Sequence, residues 1–283
     1  MRHAWTIDRT AQGFSLTLAG QMRPVLTQCL PPQRRPYLHP LRSPDGQSEL
    51  TQDRPAHHPW QHGVSIGLNG VNGVGFWTEG LLAGHEAQDG RMRSHLAHAP
   101  SATADGVSWV VAASYHDPSG ATTLLQEQQR WRWQHTGDGT YLLDLDWTLE
   151  AGVRVDFAQY PYGGLFVRMP IHPWSSPQLL SGAGARTCTA AEGRPARYVA
   201  VSVQDPVSAS CAGLAVIDHP ANPGYPQGFR VDGEYGFGPA RCIAAAWSLA
   251  PQERCTQRYR LVAFTGAPDA RQLELSTTAF ARS

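Results

Sequence analysis

The chain has 283 residues, a formal net charge of zero and no lysine among its 23 basic residues. The lack of lysine excludes Schiff-base chemistry and a lysine phosphate clamp, and the balanced charge without a basic block argues against nucleic acid and anionic membranes as partners. Five scattered cysteines without a CxxC pair, together with no apolar run long enough for a signal peptide or a membrane helix, predict a reduced, cytoplasmic protein.

The first segment with chemical character covers residues 35–79 and reads RPYLHPLRSPDGQSELTQDRPAHHPWQHGVSIGLNGVNGVGFWTE. Pro59 and Gly63 disfavour a helix, and the HxH pair of a strand-borne metal site is absent. The histidines therefore leave three interpretations open: a polar loop, acid–base or hydrogen-bonding groups for a substrate, and metal ligation. Because the proline and glycine weaken the third, we assign no metal ligand and take His58 and His62 as catalytic candidates.

The same segment contributes four candidates for binding a substrate: Arg35, His39, Asn72 and Glu79. Asn69 and Asn72 are two of the three asparagines in the chain and lie among glycines, which is typical of tight turns. The alternative is that their amides face a ligand. Glu79 follows directly and is interpreted either as a base or as an exposed carboxylate at the end of a strand.

Alternation of apolar and polar residues dominates the middle of the chain. In TYLLDLDWTLEA, the residues at 141, 143, 145, 147 and 149 are apolar or aromatic, and those between them are mostly polar. This period of two predicts strands with one buried face. The segments 122–134 and 140–150, joined by HTGDG, predict a long hairpin.

Another segment with chemical character, YPYGGLFVRMPIHPW (160–174), places Arg168 within an otherwise apolar strand. An unpaired charge there would be very costly, because it would lose its hydration without compensation. Arg168 is therefore expected either to pair with a carboxylate or to bind a substrate oxygen.

The late segment GLAVIDHPANPGYPQGFRVDGEYGFGPA (213–240) begins with a strand that runs into Asp218, His219 and a loop rich in proline and glycine. Polar residues at a strand end, followed by such a loop, often form a site in β proteins. We take Asp218 and His219 as catalytic candidates and Asn222 as a substrate-binding candidate.

Near the C-terminus, Pro268 and Asp269 predict the start of a short helix. Together with the alternating strands, this predicts an all-β fold: a large antiparallel β-sandwich with a short C-terminal helix, formed by residues 1–283 as a single domain. The strand order does not follow from the pattern.

Taken together, RPYLHPLRSPDG, TQDRPAHHPWQHGVSIGLNGVNGVGFWTE, GGLFVRM and GLAVIDHPANPGYPQGFRVDGEYGFGP resemble the PmoA-like family, soluble bacterial proteins named after methane oxygenase. The usual HPHHHG of that family is HPWQHG here, at 58–63, so two imidazoles are replaced and a multi-histidine metal site is disfavoured. Methane oxygenase activity is not expected, because the true enzyme is an integral membrane protein.

More distantly, the pattern is similar to the galactose-mutarotase-like supersandwich, whose members bind carbohydrate on a concave sheet face. In its epimerases a histidine acid and a late glutamate base open and close the hemiacetal. That resemblance implies His58 or His62 as the acid, with Asp218 and Glu234 as late carboxylates that match no motif of the base.

The resulting functional hypothesis is a carbohydrate-active protein that acts on a free or oxidised sugar by histidine-mediated proton transfer, as an epimerase, isomerase or lyase. The expected partner is a small-molecule carbohydrate, with a homodimer left open and the cofactor unknown. Two alternatives remain: a non-catalytic sugar-binding or sensing domain, and a metal-dependent oxygenase with two histidines and one carboxylate as ligands. We expect six candidate residues to line one cavity: His39, His58, His62, Arg168, Asp218 and His219.

Overall fold

The computed structural model describes residues 5–103, 105–137, 139–172, 175–204 and 210–283. Its elements in chain order are β1 (Trp5–Thr10), β2 (Gly13–Leu18), β3 (Leu26–Cys29), β4 (Tyr37–Leu41), β5 (Val64–Gly67), β6 (Arg91–Ala102), β7 (Gly106–His116), β8 (Thr123–His135), β9 (Thr140–Ala151), β10 (Val155–Phe157), β11 (Gly164–Val167), β12 (Gln178–Ser181), α1 (Cys188–Ala191), β13 (Tyr198–Gln204), β14 (Cys211–Asp218), β15 (Phe229–Val231), β16 (Phe237–Pro239), a 3₁₀ turn (Arg241–Ile243), β17 (Trp247–Leu249), β18 (Arg254–Thr265) and α2 (Ala270–Phe280).

The strands form two large antiparallel sheets. The first sheet has the order β1-β2-β3-β4-β5-β11-β16-β15, and the second has the order β12-β13-β14-β18-β9-β8-β7-β6. Strands β10 and β17 form a separate two-stranded ribbon. The predicted hairpin is confirmed, since β8 and β9 pair from Leu125↔Ala151 to His135↔Tyr141.

The interior lies between the two sheets. On β9 the alternating residues from Tyr141 to Leu149 are buried as predicted. Phe14 of the first sheet meets Trp109 of the second edge-to-face, with ring centroids 5.3 Å apart. The indole of Trp109 also donates a hydrogen bond of 2.9 Å to Gln28 Oε1 across the interior. Aromatic rings large enough to reach both sheets thus hold them together, and the predicted all-β sandwich is confirmed.

The short C-terminal helix is confirmed as α2. Asp269 caps it, because its carboxylate accepts hydrogen bonds from the backbone N–H groups of Arg271 and Gln272 at 2.7 and 3.0 Å. Leu273 and Phe280 are buried against the outer face of the second sheet. Neither helix in the described part of the chain is long and apolar enough to cross a membrane.

Strand register brings three distant segments to one end of the first sheet. Val167, the last residue of β11, pairs with Val64, the first residue of β5, and with Phe237, the first residue of β16. The residues just before β5, just after β11 and just before β16 therefore lie side by side. They include His62 and Arg168, so this end of the sheet is where the candidate chemistry lies.

Candidate functional site

A cavity of about 340 Å³ opens at this end of the first sheet. Four aromatic residues contribute to its lining: Trp60, Trp77, Tyr162 and Phe166. Polar and charged groups form another part of the wall: His58, Gln61, Thr78, Arg230, Asp232 and Glu234. Leu82 and Gly233 complete the lining.

The aromatic wall is built around Trp77. Its ring lies 4.6 Å from that of Tyr162 and 5.3 Å from that of Phe166, centroid to centroid. Trp60 lies apart from this group and meets the imidazole of His58 at 5.4 Å with perpendicular planes. Trp60 is partly exposed, whereas Trp77 and Phe166 are buried, so Trp60 has the indole surface most available to a ligand.

Glu234 is the carboxylate at the centre of the polar wall. Its Oε2 lies 2.6 Å from Nη1 of Arg168 and 2.9 Å from Nε2 of His57. Burial acts to raise the pKa of Glu234, but the hydrogen bonds from His57 and Arg168 outweigh it and lower the pKa below its usual range. The side chain is ionised at neutral pH.

Arg168 has a buried side chain and makes the carboxylate pair that was one of its two predicted roles. It also donates to Gln61 Oε1 at 2.9 Å and to Gln52 Oε1 at 3.3 Å. Its Nη2 lies 3.2 Å from Nε2 of His57. The guanidinium thus holds two residues of the cavity wall, Gln61 and Glu234, and is not itself part of the lining. Its binding of substrate oxygen stays a prediction.

His58 lies in a tight turn, because its N–H donates to Pro55 O and its carbonyl accepts from the N–H of Gln61. Its Nδ1 is buried and has no hydrogen-bond partner within the described residues; Glu234 Oε2 is 3.9 Å away. Burial and the neighbouring His57 lower the pKa of His58. The imidazole is therefore neutral near pH 7 and offers a lone pair or a single N–H.

Glu234 reaches the cavity on the turn between β15 and β16. Asp232 shapes this turn, because its Oδ1 accepts from the N–H groups of Glu234 at 3.0 Å and Gly236 at 2.8 Å. The motif VDGEYG could have been recognised as a turn between two strands. Sequence reasoning did not select Asp232 or Arg230, and it considered Glu234 only as a late carboxylate without a motif.

His62, predicted to be catalytic, is buried between two carboxylates and is not part of the lining. Nδ1 lies 2.6 Å from Asp53 Oδ1, Nε2 lies 3.2 Å from Glu79 Oε2, and the ring stacks on Tyr37 at 4.4 Å. His62 therefore fixes the base of the loop around the cavity. A catalytic role for it stays a prediction, with no surface of its own toward the cavity.

Glu79 and Arg35 form a buried pair beneath the aromatic wall. Arg35 Nε and the backbone N–H of Arg35 both donate to Glu79 Oε1, at 2.8 and 2.9 Å. The guanidinium also donates to the carbonyls of Phe76 and Trp77. The reading of Glu79 as an exposed strand-end carboxylate was wrong, since a buried cation holds it inside. Neither residue reaches the cavity, so substrate binding by them stays a prediction.

His39 and Asn72 lie away from the cavity. His39 Nδ1 contacts Thr51 Oγ1 at 3.0 Å, and burial lowers the pKa of this histidine. The side chain of Asn72 donates to Arg154 O and accepts from the N–H of Asp156, and its backbone has a positive φ of 50°. Asn72 thus follows the turn interpretation rather than the ligand-facing one.

Asp218, His219 and Asn222 form a separate network on the second sheet. The carboxylate of Asp218 accepts from Asn222 Nδ2 at 2.7 Å and from the N–H of Gln227 at 2.8 Å. His219 Nδ1 accepts from Ala221 N, and its ring packs against Phe280 of α2. These residues brace the loop after β14.

The prediction of one shared cavity is therefore corrected. Of the six residues expected to line it, only His58 contributes to the lining, with Arg168 directly behind. Asp218 is paired with Tyr259 inside the second sheet, whereas the cavity lies at the end of the first sheet. The later part of the same segment, from Arg230 to Glu234, contributes the groups that Asp218 and His219 were expected to supply.

One group of side chains has the composition of a metal centre. His57 Nε2, His58 Nδ1 and Glu234 Oε2 all lie within 4.8 Å of one another. Two imidazoles and one carboxylate suit first-row transition metals. This is the ligand set of the oxygenase alternative, at residues to which the sequence assigned no metal.

Comparison with known proteins gives a family without an assigned function. The model of DUF6807, described as a family of unknown function, matches residues 21–277. The resemblance to the PmoA-like, methane-oxygenase-named family was therefore wrong, since the shared blocks belong to DUF6807. No curated protein matches the chain.

Two solved structures are distantly similar. One is a putative kojibiose phosphorylase from the human microbiome, with a TM-score of 0.32 and 4% identity over 62% of this chain and 21% of that chain. The other is an alpha-galactosidase from Lactobacillus brevis, with a TM-score of 0.34 and 10% identity over 99% of this chain and 42% of that chain. The chain thus spans less than half the length of either protein.

Proposed function

The chain belongs to the DUF6807 family, and we propose that it is a carbohydrate-active protein that binds a free sugar without a carboxylate or phosphate group in the cavity at the end of the first sheet. The observation that carries the proposal is the mixed composition of the cavity lining. Aromatic rings, including the partly exposed Trp60, and hydrogen-bonding groups line the same cavity. Sugars present apolar C–H faces and polar hydroxyl edges, so such a lining suits both parts of a sugar.

The charges around the cavity favour an uncharged sugar over a sugar acid or a sugar phosphate. Within the described residues, the lining contains one arginine, Arg230, and two carboxylates, Asp232 and Glu234. Arg230 Nη1 is already bound to Glu192 Oε1 at 2.6 Å, and Arg168 behind the wall is bound to Glu234. In the described part of the chain, no arginine of the cavity is therefore left unpaired to bind an anionic substrate, and such substrates are usually held by a free arginine.

In the experiment, the protein is titrated with neutral aldoses, ketoses and the corresponding uronic acids. Calorimetry and ligand-observed NMR measure the binding. We expect neutral sugars to bind more tightly than uronates. The absence of binding by every sugar at millimolar concentration would contradict the proposal, and tighter binding of uronates would contradict its charge argument.

The variant Trp60→Ala tests the aromatic wall. Loss of the indole face should weaken sugar binding about tenfold, equivalent to about 1.4 kcal/mol of stacking and burial. The matched control is Trp60→Phe, which retains an aromatic face and should retain most of the affinity. Equal affinity in all three proteins would remove Trp60 from the site.

Proton transfer stays a prediction from the sequence. It separates an epimerase, isomerase or lyase from the non-catalytic alternative, and NMR in D₂O can follow it directly. Exchange of the anomeric or α-proton of a bound sugar would indicate catalysis, and binding without exchange would favour a binding domain.

A further inference from the structure

We propose that His57, His58 and Glu234 bind a divalent first-row transition-metal ion at the rim of the cavity. The ligand atoms would be His57 Nε2, His58 Nδ1 and Glu234 Oε2. This inference does not depend on the sugar, since the ion can be measured in the protein alone.

The spacing of the donor atoms suits one ion. Glu234 Oε2 is 2.9 Å from His57 Nε2 and 3.9 Å from His58 Nδ1, and the whole group lies within 4.8 Å. An ion with bonds of about 2.0–2.2 Å to nitrogen and oxygen requires donors about 3–4 Å apart. Because the widest separation reaches 4.8 Å, the exposed imidazole of His57 must move by about 1 Å to bring all three donors into this range.

The hydrogen bonding around these donors is incomplete without an ion. His58 Nδ1 is buried with no partner in the described part of the chain, and a buried polar nitrogen without a partner is costly. His57 Nε2 lies between Glu234 Oε2 and Arg168 Nη2, at 2.9 and 3.2 Å. That nitrogen can donate to the carboxylate or accept from the guanidinium, but not both. A cation would accept the lone pairs of both imidazoles and attract Glu234.

Arg168 is the competing cation, and its position sets the expected strength of the site. It lies 2.6 Å from the same oxygen of Glu234, so an ion must share that carboxylate with a guanidinium. When an ion takes the lone pair of His57 from Arg168, the arginine keeps its hydrogen bonds to Gln61 and Gln52. A carboxylate ligand held by a second hydrogen-bonding group is common around metals. The positive charge of Arg168 predicts moderate rather than very tight affinity.

The local backbone already holds the three side chains near one another. His57 and His58 lie in the turn closed by the bond from His58 N to Pro55 O, at 2.9 Å. Asp232 fixes the turn that carries Glu234.

Three protein ligands leave coordination positions open, as in catalytic rather than structural sites. His58 and Glu234 both line the cavity, so the open positions are expected on the cavity side. A hydroxyl or carbonyl oxygen of a ligand, or a water molecule, could occupy them.

The experiment uses full-length protein without a histidine tag, stripped with a chelator. Zn²⁺ is titrated by calorimetry and Co²⁺ by its visible absorption. We expect one ion per chain, with affinity at least about tenfold weaker in His57→Ala and in Glu234→Gln, by analogy with losses at metal sites. Both side chains are about half exposed, at 52% and 44%. Because Glu234→Gln also removes the anion from the buried Arg168, a thermal melt must verify that each variant folds, and His57→Ala tests the site without that loss.

The matched control is His85→Ala. His85 is another partly exposed histidine beside a carboxylate, 3.7 Å from Asp89, and its loss should leave binding unchanged. Failure of the wild-type protein to bind either ion stoichiometrically would overturn the proposal, as would equal affinity in the wild type, His57→Ala and Glu234→Gln. Metal binding without sugar binding would refute only the sugar proposal. Sugar binding without metal binding would refute only the metal proposal.

Discussion

Glu79 and Glu127 are both buried carboxyl groups, one beside the first sheet and one on the second, yet their surroundings are opposite. Glu79 is bonded to the Arg35 guanidinium and to His62. Glu127, on β8, is bonded to the hydroxyl of Tyr115 and the amide of Gln129, which are both neutral. For both groups burial acts to raise the pKa, but Arg35 and His62 hold that of Glu79 at about 2, whereas that of Glu127 rises to about 7.

The comparison shows that the charge of the partner decides the sign of the shift when burial is equal. A cation compensates for lost hydration of a carboxylate, and neutral donors do so only in part. The first sheet thus keeps its buried acid ionised beneath the cavity. The second sheet keeps its buried acid protonated up to about neutral pH.

The largest effect is expected for Glu79→Gln. It leaves Arg35 buried without its anion, which costs on the order of 3–5 kcal/mol of the free energy of unfolding. Because the folded pKa is below the unfolded value, this stabilisation is present above about pH 4.5 and is lost as the pH falls toward 2. Urea denaturation at several pH values measures it. The control is Glu49→Gln in the more exposed pair with Arg42, which should cost less than about 1 kcal/mol.

The opposite pH dependence is expected for Glu127. Its folded pKa of about 7 lies above the unfolded value, so the folded state binds more protons and the wild type loses stability as the pH rises from about 4.5 through 7. The total is on the order of 3 kcal/mol. Glu127→Gln cannot ionise, so its stability relative to the wild type should increase across this range. Parallel stability curves for the two proteins would contradict the comparison.

A smaller effect is expected for Asp218→Asn in the second sheet. Both carboxylate oxygens of Asp218 accept hydrogen bonds, one from Asn222 Nδ2 and one from the N–H of Gln227. The amide of asparagine would place its own NH₂ group against one of these N–H donors. We expect a loss of about 1–3 kcal/mol in the free energy of unfolding, with sugar and metal binding at the cavity unchanged. Calorimetric titration of the folded variant checks this, and weakened binding would return Asp218 to the functional site.

Much of the fold could be predicted because it depends on local pattern. The alternation from Tyr141 to Leu149 and the cap at Asp269 are written in consecutive residues, and both appear where expected. The site depends instead on register between distant strands. Nothing near Asp218 in the sequence shows that it turns into the second sheet, or that Glu234, sixteen positions later, meets Arg168.

Buried pairing was also invisible in the sequence. Glu79 follows a tryptophan and a threonine and has the composition of a strand end, yet Arg35, 44 positions earlier, draws it inside. His62 was selected as a catalytic candidate, but its environment of two carboxylates places it beneath the cavity. A sequence shows which residues can carry charge, and only the fold shows which charges meet.

The contact between His57 and Glu234 joins residues 177 positions apart, and that between His57 and Arg168 joins residues 111 apart. Contacts of such separation require large loops to close first, which is slow relative to local structure. During synthesis, the polar wall cannot be completed until the turn between β15 and β16 has left the ribosome. Ligand or metal binding by a growing chain would therefore report that this end of the first sheet has assembled.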